Sequence, residues 1–347
     1  VRAELVMDSE AFVANLAAIR ARVAPAQHML VVKDDAYGHG LSATAERAWA
    51  AGIRSFGAFD VRTGAAVRAA VGEQASIFVW IVGTATEAAD AIAAGLEIGV
   101  GDALLLEDVA DAARRDGRAA RIHLKADTGL HRNGVRPEDW DGFVRRARDL
   151  ERQGVLEVVG VWSHIAEASD AEDDAARDRF DVAVARARDA GLAPRVRHLA
   201  ASAASFARPG FRYDMVRVGA FAYGIRPAGG PGSADLGIRP IASLRAPILR
   251  VSGDQAIAAV GSLDGLPSSL AGLVEVGTPG GSRSLLGIGA YESAVQSWPD
   301  ARPGDVVTVF GPGGSGEGSP TDLAEAIDTI GEEIAVRVSP GIPRRWN

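Results

Sequence analysis

The 347-residue chain contains no cysteine. Disulfides, thiolate metal sites and a cysteine nucleophile are therefore excluded. Nor is there a stretch of about 18 consecutive apolar residues, the length a membrane-crossing helix needs. The opening VRAELVMDSE holds no apolar core of signal-peptide length, so a cytoplasmic location is the expectation. Positive charge is in deficit, since 37 Lys and Arg face 45 Asp and Glu, for a net charge of −8. That balance argues against nucleic acid or an anionic membrane surface as a partner. Tyrosine is scarce: there are four, and none lies between Tyr223 and Tyr291. What remains is ordinary globular composition, 47% hydrophobic and 24% charged, long enough for one large domain and a smaller one.

Short β-like runs alternate with Ala/Arg-rich helical segments from residue 28 to about 225. The candidate strands are His28–Lys33, Arg54–Phe59, Ser76–Ile81, Leu96–Val100, Arg121–Lys125, Glu157–Ser163, Arg195–Leu199 and Tyr213–Arg217. Eight βα units predict a closed (β/α)8 TIM-type barrel over residues 8–227, rather than an open doubly wound sheet. The acidic run ASDAEDDAARDRF reads as a helix start. Beyond the Gly/Pro/Ser-rich segment RPAGGPGSADLG the texture turns to short β-like runs, Leu244–Val251, Val306–Phe310 and Ile334–Val338. One short helical stretch near Leu323–Ile327 interrupts them. This predicts a smaller, mainly β C-terminal domain over residues 228–347, joined by residues 1–7.

Polar residues gather at the predicted strand ends. Lys33 ends the first strand, Lys125 the fifth, His164 follows the sixth and Arg217 ends the eighth, while Arg132 and Ser202 lie in adjacent loops. In a barrel these positions open onto the C-terminal face, where such enzymes carry their active sites. Each has a plain structural reading: a solvated lysine, a hydrogen-bonded histidine, an Arg217–Asp214 pair, or Ser202 capping the next helix. Their convergence favours function, because burying charge without a ligand is costly. A strand-end lysine amine among cations suits an anionic cofactor held as an imine, and pyridoxal 5'-phosphate fits that description. Arg217–Val218–Gly219–Ala220 offers close backbone approach for a phosphate, and Ser202 a hydroxyl at a helix start. No metal site is read from the sequence.

Five segments, VVKDDAYGHG (31–40), HLKADTGLHRNGV (123–135), SHIAEASD (163–170), HLAASA (198–203) and YDMVRVGAFAYG (213–224), resemble the successive signatures of the alanine racemase family. The likeness is strong over residues 3–225 and continues in outline through DVVTVFG and SPGIPRRW. It implies a pyridoxal-phosphate-dependent racemase acting at Cα of a small amino acid, in a homodimer whose partner completes the active site. It further implies that Lys33 carries the cofactor as an internal aldimine and acts as base on one face. Tyr37, Ser202, Gly219 and Ala220 would hold the phosphate, and Arg217 would face the pyridine nitrogen. Arg132 would contact the ring hydroxyl region, His164 would support the ring and Arg217, and Lys125, carbamylated in some members, would neighbour Arg132.

The chain also departs from that pattern. The family's second base is a tyrosine in a segment like VGYADGLPR, whereas VGSLDGLP here places Ser262 there. Only nine residues separate Val251 from Gly261, too few for the family's full β segment. A Met-Asp pair corresponds to about Gly287–Ile288, a late cofactor-side tyrosine to about Glu332, and Ala201 replaces an asparagine. Serine is a poor base, so Tyr291, His131 or a water takes the second proton, or the chemistry is redirected. The alternative reading is accordingly a lyase, decarboxylase or one-sided proton-transfer enzyme on the same cofactor. A non-enzymatic binding protein is a third reading, disfavoured by the retained Lys33, Arg132, His164 and Arg217.

Overall fold

The computed structural model describes residues 2–199 and 202–347; the Ala201 position lies outside the described residues. The chain divides into two compact units. One comprises Arg20–Lys33 and Ala48–Gly219, the other Val1–Ile19, Asp34–Arg47 and Ala220–Asn347.

The first unit is the barrel. After the N-terminal strand β1 (Glu4–Met7), which belongs to the other unit, come β2 (Gln27–Val31), β3 (Ser55–Asp60), β4 (Ser76–Ile81) and β5 (Glu97–Val100). They are followed by β6 (Ala120–Lys125), β7 (Leu156–Trp162), β8 (Val196–His198) and β9 (Met215–Val218). All eight predicted strands are present. They pair in parallel in the order β8-β7-β6-β5-β4-β3-β2-β9. Among the described residues the β8–β9 seam shows no ladder pairing: Asp214 N–H donates to Arg197 O at 3.2 Å, and the Asp214 carboxylate accepts from the Arg197 N–H at 2.8 Å and from its guanidinium. Met29, Phe78, Trp162 and Met215 fill part of the interior. Small residues make room for them, since a Cβ on Gly99 would come within 3.1 Å of both Phe78 and Trp162. Several barrel helices start directly on a capping side chain. Asp60 accepts from Thr63 N–H at 2.7 Å, Asp102 from Leu105 N–H at 2.8 Å, and Ser169 from Glu172 N–H at 3.2 Å. The acidic run thus begins the helix Asp170–Asp189, as its composition predicts.

The second unit is mainly β. It holds β10 (Ala242–Ser252), β11 (Gln255–Ala258), β12 (Glu275–Thr278), β13 (Gly281–Ile288), β14 (Ser293–Gln296), β15 (Val306–Phe310) and β16 (Arg344–Trp346). The sheet order is β11-β14-β13-β12-β15-β10-β1-β16, and a β10–β11 pairing closes six of these strands into a ring. Its core includes Leu244, Ile248, Val276, Leu285, Val307 and Phe310. Where the sequence predicts a strand at Ile334–Val338, the chain forms the helix Gly331–Arg337. The β-branched Ile334, Val336 and Val338 suggest alternation, but burial falls on Ile334, Ala335 and Val338 while Val336 is exposed. That is helical spacing, and Glu332 and Glu333 in the first turn favour it through the helix dipole. This helix lies in the same unit as the helix Pro320–Glu325, where a helical stretch was expected. No described helix is long and apolar enough to cross a membrane.

Candidate active site

β2 is buried from His28 to Val31, and Val32 N–H donates to Gly57 O at 2.9 Å, so extended backbone runs one residue past the strand. Lys33 follows at the C-terminal end of the barrel, half-buried. His164 sits two residues beyond β7 and responds to the other charges placed there. Burial, then the charges of Arg217, Arg132, Lys125 and Lys33, push its imidazole down to about 3. The barrel thus brings together the four cations of the sequence reading around one neutral histidine. Lys125 is buried beside the Trp162 ring, its Nζ 4.4 Å from the ring centroid. Burial and the charges of Arg132 and Arg217 bring it down to about 8. Arg132 is exposed, on a loop secured by Asp127, which accepts from the N–H groups of Gly129 and His131 and from His131 Nδ1 at 2.7 Å.

Arg217 is buried within β9. Its Nη2 donates to Ser163 O at 2.8 Å, Leu199 O at 3.0 Å and His164 Nδ1 at 3.1 Å, and its Nη1 to His198 Nδ1 at 2.9 Å. Burial and the charge of Arg132 push it down to about 9, so it stays cationic at neutral pH. The Arg217–Asp214 pair does not form, because Asp214 binds Arg197. Beyond His198 the hydrogen bonds continue through His123 to Glu97. Sequence reasoning missed these three residues. The available signal was alternation: Arg121, His123 and Lys125 share one face of β6, so a buried lysine at one end implies polar company below it.

Ser202 begins the short helix Ser202–Ala207 and is half-buried. Glu167, also missed, accepts from Ala204 N–H at 2.8 Å at the start of this helix. Burial raises its carboxyl above the ordinary range. Gly219 is buried at the end of β9.

In the second unit, Asp34, Asp35, Ala36 and Tyr37 form a left-handed turn, with φ of 53° to 55°. Such backbone costs roughly 1–2 kcal/mol per non-glycine residue. The neighbouring Gly38, at φ 79°, is required, since a Cβ there would lie 2.7 Å from Ala335 O. The turn buries the Tyr37 ring 4.9 Å from that of Tyr223. Burial, then the charges of Glu332 and Asp34, raise the Tyr37 phenol, while an N–H donated by Ala220 opposes them. Ala220 opens the short 3-10 helix Ala220–Tyr223.

The substrate-side departures lie in the same unit. β10 and β11 form a hairpin whose turn is Gly253–Asp254, which is where the short segment goes. Ser262 is exposed on a 3-10 turn, Ser262–Asp264, and its N–H donates to Gly289 O at 2.8 Å. Gly261 permits this approach, for a Cβ there would lie 2.5 Å from Ala290 backbone. Tyr291 is 66% exposed. His131, the other proposed proton carrier, is mostly exposed but tied to Asp127.

These donors fit pyridoxal phosphate. An amine, cations that act together on His164, and a buried guanidinium bound only to carbonyls and imidazoles among the described residues suit an anionic, covalently held group. Comparison with known proteins agrees. Residues 7–227 match the alanine racemase N-terminal domain. The alanine racemase of Thermobifida fusca (strain YX) is 36% identical over 99% of this chain and 97% of its own length. The crystal structure of alanine racemase from D-cycloserine-producing Streptomyces lavendulae superposes with a TM-score of 0.95 at 34% identity, covering 100% of this chain and 97% of that one. The alanine racemase of Streptomyces coelicolor A3(2) gives 0.94 at 34% identity, covering 99% and 98%. With its barrel and its β unit both accounted for, the chain belongs to the alanine racemase family.

Proposed function

We propose that this protein is a pyridoxal-phosphate-dependent amino-acid racemase of the alanine racemase type, acting at Cα of a small amino acid and working as a homodimer. One observation carries the reading: Lys33, Arg132, His164 and Arg217 gather at the C-terminal end of one barrel. The redirected lyase or decarboxylase is not favoured, since relatives spanning nearly the whole chain are alanine racemases.

Pyridoxal phosphate, when bound, supplies an electron sink that acidifies the substrate's Cα–H bond. Lys33 Nζ is assigned the covalent attachment and the movement of a proton at Cα on its own side. Arg217 has donors only and keeps its charge at neutral pH, so a ring nitrogen facing it would stay without a proton, which would weaken the sink and restrain side reactions. His164, held neutral, accepts from Arg217 and adds no charge to a crowded cationic mouth. Arg132 is assigned to the ring hydroxyl region, with Lys125 as its neighbour. Tyr37, Ser202 and the backbone of Gly219 and Ala220 are assigned the phosphate; the N–H that Ala220 gives to Tyr37 supports that pairing.

The test is proton NMR of L-alanine and other small amino acids in D2O with purified, pyridoxal-phosphate-loaded protein. Deuterium entry at Cα with inversion is the expected result. Exchange with strict retention, or loss of a fragment, would overturn the racemase reading.

A further inference from the structure

A chain of buried hydrogen bonds crosses the barrel interior beneath the site. Arg217 Nη1 lies 2.9 Å from His198 Nδ1, His198 Nε2 lies 2.9 Å from His123 Nδ1, and His123 Nε2 lies 3.0 Å from Glu97 Oε2. All four side chains are buried: Arg217 is 7% exposed, His198 0%, His123 1% and Glu97 3%. We propose that Glu97 and His123, acting through His198, are positioning residues for Arg217, and that this relay can hold its protons in one order only.

The order follows from which atoms can donate. Arginine has no acceptor, so its N–H must point at His198 Nδ1, and the proton of His198 must sit on Nε2. That proton can go only to His123 Nδ1, which must therefore be bare. The proton of His123 then sits on Nε2 and is received by Glu97, a carboxylate that only accepts. Both imidazoles are thus neutral Nε2–H forms, and adding a proton to either would place two donors face to face. The surroundings enforce the same state. His198 stacks on Trp162 at an interplanar angle of 6°, and Phe78 packs 4.8 Å from His123 and 5.3 Å from His198. Burial first, then the charge of Arg217, hold His198 well below the usual imidazole range. At the far end Arg121 and Ser76 also face Glu97. Burial works to raise its carboxyl, but the bonds from His123 and Ser76 and the Arg121 charge bring it below the ordinary value.

The consequence concerns Arg217. Its Nη2 serves three acceptors, and its Nη1 is held by His198, which completes the fixing of the guanidinium plane. His198 on β8 is locked by His123 on β6, and His123 by Glu97 on the paired strand β5. Moving the His123 proton from Nε2 to Nδ1 would reverse its donor and acceptor, and Glu97, which only accepts, forbids it. This inference rests on Arg217 facing the cofactor ring, so the experiment separates the two claims.

Histidine-selective 15N labelling with long-range 1H–15N correlation reads the tautomers in wild-type protein, with and without added pyridoxal phosphate. The expected result is Nε2–H for both His123 and His198, with His198 not titrating between about pH 5 and 8. Glu97→Leu and His123→Phe should each weaken cofactor binding about tenfold, the scale of one lost charge-assisted hydrogen bond. They should lower kcat more than they change KM, and Glu97→Gln, which can still accept, should restore binding to within about threefold. An Nδ1–H form on either ring, a second proton on His198 in that pH range, or cofactor binding unchanged in both Glu97→Leu and His123→Phe would overturn the relay. Protein with the expected tautomers that binds no pyridoxal phosphate would support the relay and overturn the cofactor assignment. The wild-type measurement needs no variant to fold.

Discussion

The β8–β9 seam offers a test of how the barrel holds its site. These two strands carry His198 and Arg217, yet among the described residues they are joined through Asp214 and Arg197 rather than through a ladder. The Asp214 carboxylate accepts from Arg197 N–H at 2.8 Å, Nε at 2.7 Å and Nη2 at 3.0 Å. The two side chains are 31% and 36% exposed, so the ion pair is screened and contributes about 0.5–1 kcal/mol. Asp214→Ala also strands the Arg197 amide, at a cost of about 1 kcal/mol or a little more in this half-buried setting. The expected loss is therefore about 2 kcal/mol for Asp214→Ala and about half that for Asp214→Asn, which keeps an acceptor. Urea midpoints at constant slope measure both. Arg197 holds the Asp214 carboxyl below its usual value, with burial opposing. Its contribution is then fully present above the unfolded carboxyl value of about 3.9 and is lost as pH falls through the lower folded one. The Asn variant should converge on wild type in that acid window. Asp214→Ala within about 0.5 kcal/mol of wild type, or equal to Asp214→Asn, would refute the view that this carboxylate closes the seam.

Borohydride reduction of cofactor-loaded protein should fix the label to the peptide bearing Lys33, and Lys33→Ala should abolish it; a label elsewhere displaces the assignment. Sedimentation at micromolar concentration should give twice 36.0 kDa, with an obligate interface above about 2,000 Å² of buried surface, and a monomer would contradict the shared site. Ser262 is exposed on its turn, so Ser262→Tyr should fold normally and raise alanine racemisation, within the 10²–10⁴ range roughly attributed to a positioned acid–base group. Fast wild-type racemisation indifferent to Ser262→Ala would show that another group carries the second proton.

Barrel strands were legible because they are buried on both faces and read as compact apolar runs between helices, as in HMLVV and FGAF. The C-terminal unit was harder. Its strands are short and share β-branched residues with the helix at Gly331–Arg337, where a run of five residues holds too little of either period to separate them. The left-handed turn after Lys33 was visible only as a turn. Nothing in Asp-Asp-Ala-Tyr favours positive φ at four positions, and the packing of Tyr37 against Tyr223 within the second unit accompanies it.

The same contrast explains the site. Lys33, His164 and Arg217 stand out in sequence because a polar residue at the end of an apolar strand has few structural uses. Glu97, His123 and His198 do not, because their roles exist only once three strands bring them into line. A histidine's donor or acceptor character is fixed by what its other nitrogen meets, and that is a fact about neighbours. The order of protons in the barrel is therefore a property of the fold, imposed from an arginine at one end and a carboxylate at the other. Ser262 is the reverse case. Its chemistry is plain from the residue type, a hydroxyl too short and too weakly acidic to replace a phenol. Its consequence depends on what the proposed homodimer would bring to that turn, which is why the racemisation rate of the Ser262→Tyr variant, and not its stability, carries the information.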